Sequence, residues 1–408
     1  MRRLLLMQWT VAALCISLAG ASADDFASQR QQVLALAELT DAPNVHPLDA
    51  FSDEDGLLRI FFDALPWHGK PTRVFAWLGI PQSGEGKMPG IVLVHGGGGT
   101  AFKEWVQKWN DHGFAAISIA VEGQIDQREP STGGGRPGWK SHAWPGPKRI
   151  GIYADSAEPL REQWMYHAVA DTILANSLLR AVPEVDPDKV GLMGISWGGV
   201  ITSTVMGIDD RFAFAIPTYG CGHLADVDNQ WGRALGTNAT YRRVWDPLLR
   251  MERAQMPALW LSWSGDSHFP LDAQAACYRA APGLRMISLP WKMGHSHPAG
   301  WKPSDSYAFA ESVVRTGKPW CRQTSLHVDE GVIHVKFASA KPLDKAVLVS
   351  TTDTGFTGDR NWLQTPADLQ PLNAAWEVTA ALPAATTAWF VNVRSDDLTV
   401  SSEYQEAE

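Results

Sequence analysis

Cysteine is scarce, with four in 408 residues, and only Cys221, Cys277 and Cys321 lie beyond the first 23 positions. A disulfide-stapled scaffold is excluded, and three thiols allow at most one intrachain bridge. The expected pair is Cys277 with Cys321, because Cys321 follows the last expected helix while Cys221 sits in the small-residue turn Tyr219-Gly220-Cys221-Gly222. Positive charge is also short. There are 35 Lys plus Arg against 44 Asp plus Glu, a net −9 with no basic block, which excludes nucleic acid as a partner. Tyrosine and phenylalanine, 7 and 14, are outnumbered by 19 Trp, an excess of flat aromatic surface. Hydrophobic residues at 45% and charged residues at 19% follow the ordinary globular balance and exclude wholesale disorder.

Long apolar runs are confined to the N-terminus. Arg2 and Arg3 precede an apolar stretch over 4–18, and Ala21-Ser22-Ala23 supplies a small-x-small signal before Asp24 and Asp25. This predicts a cleavable signal peptide over 1–23 and a secreted or periplasmic protein. A membrane anchor needs about 20 unbroken apolar residues, and Gln8, Thr10 and Ser17 interrupt this run. Leu14 stands before Cys15 where a lipidation signal wants a small residue, so no membrane anchor is expected.

The length exceeds one ordinary domain of about 100 to 200 residues. Strand-like runs at 57–65, 73–80, 90–94, 114–121, 189–195, 257–264 and 284–289 are joined in part by helical stretches at 164–181, 199–206 and 304–316, the first read as amphipathic. This alternation predicts an α/β catalytic domain over 24–320, a mostly parallel sheet with helices on both faces. The segment 122–162, with Gly133-Gly134-Gly135 and the aromatics Trp139, Trp144 and Tyr153, is too long for a simple connection and is expected to lie over a site. From 321 the pattern becomes short period-two runs between Pro, Asp and Gly turns, which predicts a small β-sandwich over 321–408. No catalytic cluster falls in it.

Gly194-Ile195-Ser196-Trp197-Gly198 matches G-x-S-x-G directly after an apolar strand and before a helix, the context of a nucleophile elbow. Ser196 is the candidate nucleophile. A serine hydroxyl needs a base, and the base an orienting carboxylate, in the order Ser, acid, His for this architecture. Asp266, in Trp263-Ser264-Gly265-Asp266, is the expected acid, with Asp272 the alternative as a helix-start charge. Met293-Gly294-His295-Ser296-His297 supplies the base. His295 is preferred, and His297 is held as a substrate-binding or structural histidine or as the alternative base. The H-x-H pair lacks further ligands for zinc, so no metal is expected. Oxyanion donors are the Trp197 N–H and the loop His95-Gly96-Gly97-Gly98-Gly99, with Gly97 and Gly98 nearest the substrate. That loop lacks the Lys-Ser/Thr of a phosphate cradle.

The loop His95 to Thr100, the helix segment Gln163-Trp164-Met165-Tyr166-His167, the elbow, Tyr219 to Gly222 and Gly294 to His297 resemble the α/β-hydrolase superfamily, and within it the dienelactone hydrolase-like and acetylxylan esterase-like secreted enzymes. The resemblance implies a carboxylic ester hydrolase needing no cofactor, with Ser196, Asp266 and His295 as nucleophile, acid and base. It implies a small-molecule or polysaccharide ester as substrate, acetylated xylan included. Trp139, Trp144 and Trp263 are expected to bind it, since flat indoles suit sugar rings, although more than half of the Trp near the site should serve packing. Prolyl oligopeptidase-like peptidases share the elbow, which leaves an amidase as the second reading. The large propeller usual in those peptidases has no room in this chain. A third reading is a polysaccharide-binding module with a degenerate hydrolase domain, which the intact Ser, Asp and His argue against. His167 and Cys221 are expected to be packing residues.

Overall fold

In a computed structural model, the structure describes residues 23–52, 56–82, 86–130, 138–373 and 375–407. The expected leader falls almost entirely outside the described residues. No helix among the described residues is long and apolar enough to cross a membrane.

The described residues begin with α1 (Ala23–Leu34) and three antiparallel strands, β1 (Val45–Ser52), β2 (Leu58–Trp67) and β3 (Lys70–Gly79). The central strand β4 (Met88–Val94) follows, a run with almost every residue buried, as a strand covered on both faces requires. Next come α2 (Lys103–Asp111), β5 (Ala115–Ile119), and the small hairpin of β6 (Gln124–Arg128) and β7 (Trp139–Ser141). After these lie α3 (Trp164–Arg180), β8 (Val185–Ile195), α4 (Trp197–Val205), β9 (Phe214–Thr218), α5 (Gln230–Leu235) and β10 (Ala258–Leu261). The sequence then gives α6 (Leu271–Ala280), β11 (Arg285–Ser288), α7 (His297–Trp301) and α8 (Ser304–Thr316), which ends at Gly317 with φ 73°.

Strands β5, β4, β8, β9, β10 and β11 lie side by side in that order, all parallel, and form the centre of the molecule. This is the α/β-hydrolase arrangement, with β3, β2 and β1 added antiparallel beyond β5. Right-handed crossovers through helices are what parallel neighbours demand. Contrary to the amphipathic reading, α3 is buried over 164–179. Its outer face is covered by the segment after α1, where Leu39 O accepts a 2.6 Å hydrogen bond from Ser177 Oγ. An N-terminal cap on an outer helix leaves no periodicity to read.

The C-terminal strands are β12 (Cys321–Asp329), β13 (Val332–Ser339), β14 (Lys345–Thr351), β15 (Leu363–Pro366), β16 (Asp368–Leu372), β17 (Ala375–Ala381), β18 (Ala388–Ser395), β19 (Leu398–Ser401) and β20 (Gln405–Glu406). They form two antiparallel sheets. The first, β12-β13-β17-β16, stands apart, with Ile333, Val335 and Phe337 alternating into its buried face. The second does not. Strands β19, β18, β14 and β15 continue the central sheet beyond β11, and β20, paired with β18, brings it to 14 strands. The junction is the antiparallel pair Ile287 and Ser401. A side-chain seam reinforces it. Leu289 N donates to Ser401 Oγ at 2.8 Å, Ser401 Oγ to Asn392 Oδ1 at 2.6 Å, and Asn392 Nδ2 to Leu289 O at 3.0 Å. All three polar groups are buried and satisfied, which a buried junction requires.

All three described cysteines are free and buried, which corrects the expected Cys277–Cys321 pair. The Cys277 thiol on α6 turns inward to the 219–222 turn, where Gly222 N donates to it at 3.0 Å and the Cys221 thiol is its neighbour. Cys321 opens β12 and has Ser339 beside it.

Candidate active site

Strand β8 carries the chain into the elbow. At its end Ser196 takes φ 59° and ψ −115°, a left-handed backbone that points its side chain off the sheet edge before α4 begins. Such strain persists only where its surroundings fix it. Here Ser196 N donates to Thr218 O of β9 at 2.9 Å, and the turn is so close that a Cβ on Gly198 would stand 2.0 Å from Val94 O. Only glycine fits there.

Ser196 Oγ lies 3.0 Å from His295 Nε2, and His295 Nδ1 lies 2.7 Å from Asp266 Oδ2. A carboxylate only accepts, so Nδ1 carries the imidazole hydrogen and Nε2 offers its lone pair to the serine hydroxyl. Asp266 is 1% exposed, and its other oxygen accepts from His268 N at 2.8 Å and Phe269 N at 2.9 Å. The buried carboxylate is thereby held on both oxygens. The imidazole plane is set by rings. Tyr219 stacks on His295 with centroids 4.4 Å apart, Phe269 lies parallel at 6.1 Å, and the His268 ring meets it edge-on at 4.7 Å. Burial and the neighbouring His295 both hold the His268 pKa below its ordinary value.

The structure therefore brings Ser196, His295 and Asp266 into one hydrogen-bonded chain. It places the alternatives elsewhere. Asp272 lies in the first turn of α6, where burial raises its pKa and its charged neighbours are Glu406 and Arg360. His297 Nε2 accepts a 2.8 Å hydrogen bond from Gly96 N.

The glycine loop after β4 faces the elbow from the opposite side. Trp197 is the first residue of α4, where backbone N–H groups have no partner within the helix. A pocket of about 540 Å³ opens against the loop, lined by Gly97, Gly98, Gln124, Trp139, His297 and Trp301 among others. Ser196 itself is not on its wall. Trp139 is bound into that wall, with Nε1 donating to Gly98 O at 2.9 Å and Arg128 stacked 3.3 Å above the ring. The segment over 122–162 thus borders the site through its described residues, while 131–137, with Gly133 to Gly135, fall outside them. Trp144 and Trp263 are not on this pocket's wall. Trp144 is 43% exposed and stacks under Arg73 and edge-on to Phe61, and Trp263 is half-buried against the residues leading to Asp266. Trp197 and Trp231 are buried and meet edge to face at 4.8 Å, a packing role. His167 is also a packing residue, hydrogen-bonded to Arg161 O at 2.9 Å with its pKa lowered by burial. The Cys221 thiol is pushed up by burial and then by Cys277, which leaves it unreactive.

Three contributors carry no role in the sequence reading. Tyr219 follows β9 by one residue, at the carboxyl edge of a parallel sheet where sites form, and that position was a readable signal. Arg149, paired to Glu122 at 3.1 Å and lying 5.0 Å over the Trp197 ring, had none. The third is the loop around Thr357 and Gly358, contributed by the C-terminal region. Thr357 Oγ1 accepts from Leu271 N at 2.9 Å, and a Cβ on Gly358 would stand 2.1 Å from Asp266 O. Among the described residues, no group of three His, Cys, Asp or Glu side chains is placed to hold a metal ion.

A family model described as acetyl xylan esterase (AXE1) matches residues 20–251, more than half of the chain. The chain belongs to the acetyl xylan esterase (AXE1) family. Membership makes it a carboxylic ester hydrolase. The matched span includes the glycine loop and the elbow and stops before Asp266 and His295. Two solved structures share the fold. An acetyl xylan esterase from Paenibacillus sp. R4 is 19% identical, with a TM-score of 0.51 over 67% of this chain and 90% of that one. Acetyl xylan esterase 1 from Thermoanaerobacterium sp. JW/SL YS485 is also 19% identical, with a TM-score of 0.50 over 67% of this chain and 89% of that one. About a third of this AXE1-family chain therefore lies outside either likeness.

Proposed function

We propose that the protein is a secreted or periplasmic serine esterase that removes short acyl groups, acetyl first among them, from carbohydrate such as xylan. The observation that carries this is the hydrogen-bonded chain of 2.7 and 3.0 Å from Asp266 through His295 to Ser196, set opposite the glycine loop in a member of an esterase family. His295 Nε2 takes the Ser196 proton as Oγ attacks the acyl carbon, and Asp266 stabilises the imidazolium through Nδ1–H. The tetrahedral oxyanion is met by the N–H groups of Trp197 and the Gly97–Gly98 turn. His295 returns the proton to the leaving alcohol. Water then enters, loses a proton to the same nitrogen, and releases the acid. Trp139 and Trp301 contribute aromatic lining to the adjoining pocket, a surface that suits the apolar side of a sugar.

Hydrolysis of a nitrophenyl ester series from acetate to octanoate, by the parent and by Ser196→Ala, tests the reading. Acetate is expected to turn over fastest, and the variant should lose about 10⁶-fold in kcat, the scale for removing a triad serine. Release of acetate from acetylated xylan is the second measurement. Cleavage of aminoacyl arylamides with no ester turnover would replace the esterase with an amidase.

A further inference from the structure

Both backbone polar groups of Gly96 are held by imidazoles. Its N–H donates to His297 Nε2 at 2.8 Å. Its carbonyl oxygen lies 2.7 Å from His95 Nδ1 and also accepts from Gly99 N at 3.0 Å. The His95 tautomer is fixed by its other nitrogen, which accepts from Val121 N at 3.1 Å and lies 3.0 Å from Gln124 Nε2. Nδ1 therefore carries the hydrogen and donates to Gly96 O. Burial lowers the His95 pKa to about 4, so the ring stays neutral.

In a trans peptide the C=O of one residue and the N–H of the next point in opposite directions, and no cis bond occurs among the described residues. Pinning the Gly96 oxygen therefore aims the Gly97 N–H the other way, and pinning the Gly96 nitrogen prevents the preceding peptide from rotating. His297 reaches this point because nothing larger than glycine stands between. A Cβ on Gly96 would lie 2.9 Å from Ser196 Cβ and 3.2 Å from His297 Nε2, and one on Gly99 would lie 2.7 Å from that nitrogen. The His297 ring is wedged against Phe102, with centroids 4.8 Å apart, at the start of α7, two residues beyond His295.

We propose that His297 is a positioning residue of the oxyanion loop: its neutral imidazole, accepting at Nε2, fixes Gly96 and thereby aims the Gly97 N–H at the developing oxyanion. This rests on the esterase reading through the role given to Gly97. It places the two histidines of Gly294-His295-Ser296-His297 on the two sides of the reaction, one moving the proton and one holding the donor that receives the charge.

The test uses the full mature chain. His297→Leu, which cannot accept, should lower kcat on nitrophenyl acetate by about 10²-fold with KM within about twofold, the loss expected when one oxyanion donor is misaimed. His297→Gln, whose amide oxygen can accept from Gly96 N, should recover kcat to within about tenfold of the parent, one decade in rate. A rise in KM with kcat unchanged in His297→Leu would overturn the proposal and make His297 a substrate contact. If the Leu chain does not fold, His297→Gln decides alone. A hundredfold loss in that variant with an unchanged melting temperature overturns the proposal. A readout independent of activity separates this from failure of the esterase reading. In nitrogen-15 histidine NMR of the parent, the His297 ring should be neutral with its hydrogen on Nδ1. A ring carrying hydrogen on Nε2 sinks the proposal whatever the enzyme hydrolyses.

Discussion

The two walls of the site are built by different means. The wall carrying Ser196 and the glycine loop comes from β4 and β8, neighbours in the sheet, and its geometry is enforced by glycines in contact with backbone. The wall carrying Asp266 and His295 comes from the loops after β10 and β11, and it is braced from outside. Gly358 leaves no room for a side chain beside the Asp266 carbonyl, Thr357 satisfies the first N–H of α6, and β19 pairs with β11 immediately before the His295 loop. A motif makes the first wall, whereas the second is a matter of tertiary support. The C-terminal strands thus have a structural part in the site although they place no candidate catalytic side chain in it.

The largest effect that would sharpen this contrast is on the acid itself. Asp266→Asn should lower kcat by about 10⁴-fold with little change in fold, because an amide cannot hold the required tautomer. A loss under tenfold in steady-state assays would mean the carboxylate merely caps the 266–269 turn. Next is the brace. Gly358→Ala forces a methyl to within 2.1 Å of Asp266 O. It should cost about 1–3 kcal/mol by overpacking, read as a lower denaturation midpoint. The accompanying displacement of Asp266 should reduce kcat by about 10- to 100-fold. An equal loss of stability with kcat intact would break the comparison, leaving the C-terminal loop as packing alone.

The smallest expected effect concerns the second attachment of the same region. Asp305 on α8 accepts a 2.6 Å hydrogen bond from Thr399 N of β19, and burial raises its carboxyl to about 7. Unfolded, the group returns to its ordinary value of 3.8. The native state therefore binds more protons between these values, and the stability contributed is full below 3.8 and lost as pH rises through 7. Asp305→Asn keeps an acceptor and removes the titration. Its melting temperature relative to the parent should climb as pH is raised from about 4 to 8, by a few degrees in a chain of this size. A constant gap across that range would show that Asp305 does not titrate at the junction.

Much of the first wall was legible because its determinants are local. The period and length of the apolar runs located β4 and β8, and G-x-S-x-G together with four glycines named the elbow and loop. The order Ser, acid, His and the position of each loop after a strand put Asp266 and His295 forward while leaving His297 open as the base, and in the structure His295 stands between the other two, 2.7 Å from Asp266 Oδ2 and 3.0 Å from Ser196 Oγ. What stayed illegible depends on contacts distant in sequence. Alternation at β18 and β19 revealed strands but not that an edge of the central sheet would pair with them, because a single register pair at Ile287 and Ser401 leaves no compositional mark. Cysteine spacing gave no access to the inward turn of Cys277 toward Cys221. The burial of α3 was missed because its cover comes from residues more than 100 positions earlier, as the Leu39–Ser177 contact shows. Composition identified the Trp excess but could not divide it between pocket and core.

The seam between β11 and β19 has a consequence for how the chain tolerates being cut. A fragment ending before Cys321 would keep all the residues of both walls, yet it would present the open side of β11 to solvent, a row of unpaired donors and acceptors beside apolar neighbours. An exposed edge of that kind recruits another chain. Such a truncation should appear in size-exclusion chromatography as self-associated material before any loss of secondary structure is seen, because the terminal strands serve the sheet as its selvedge.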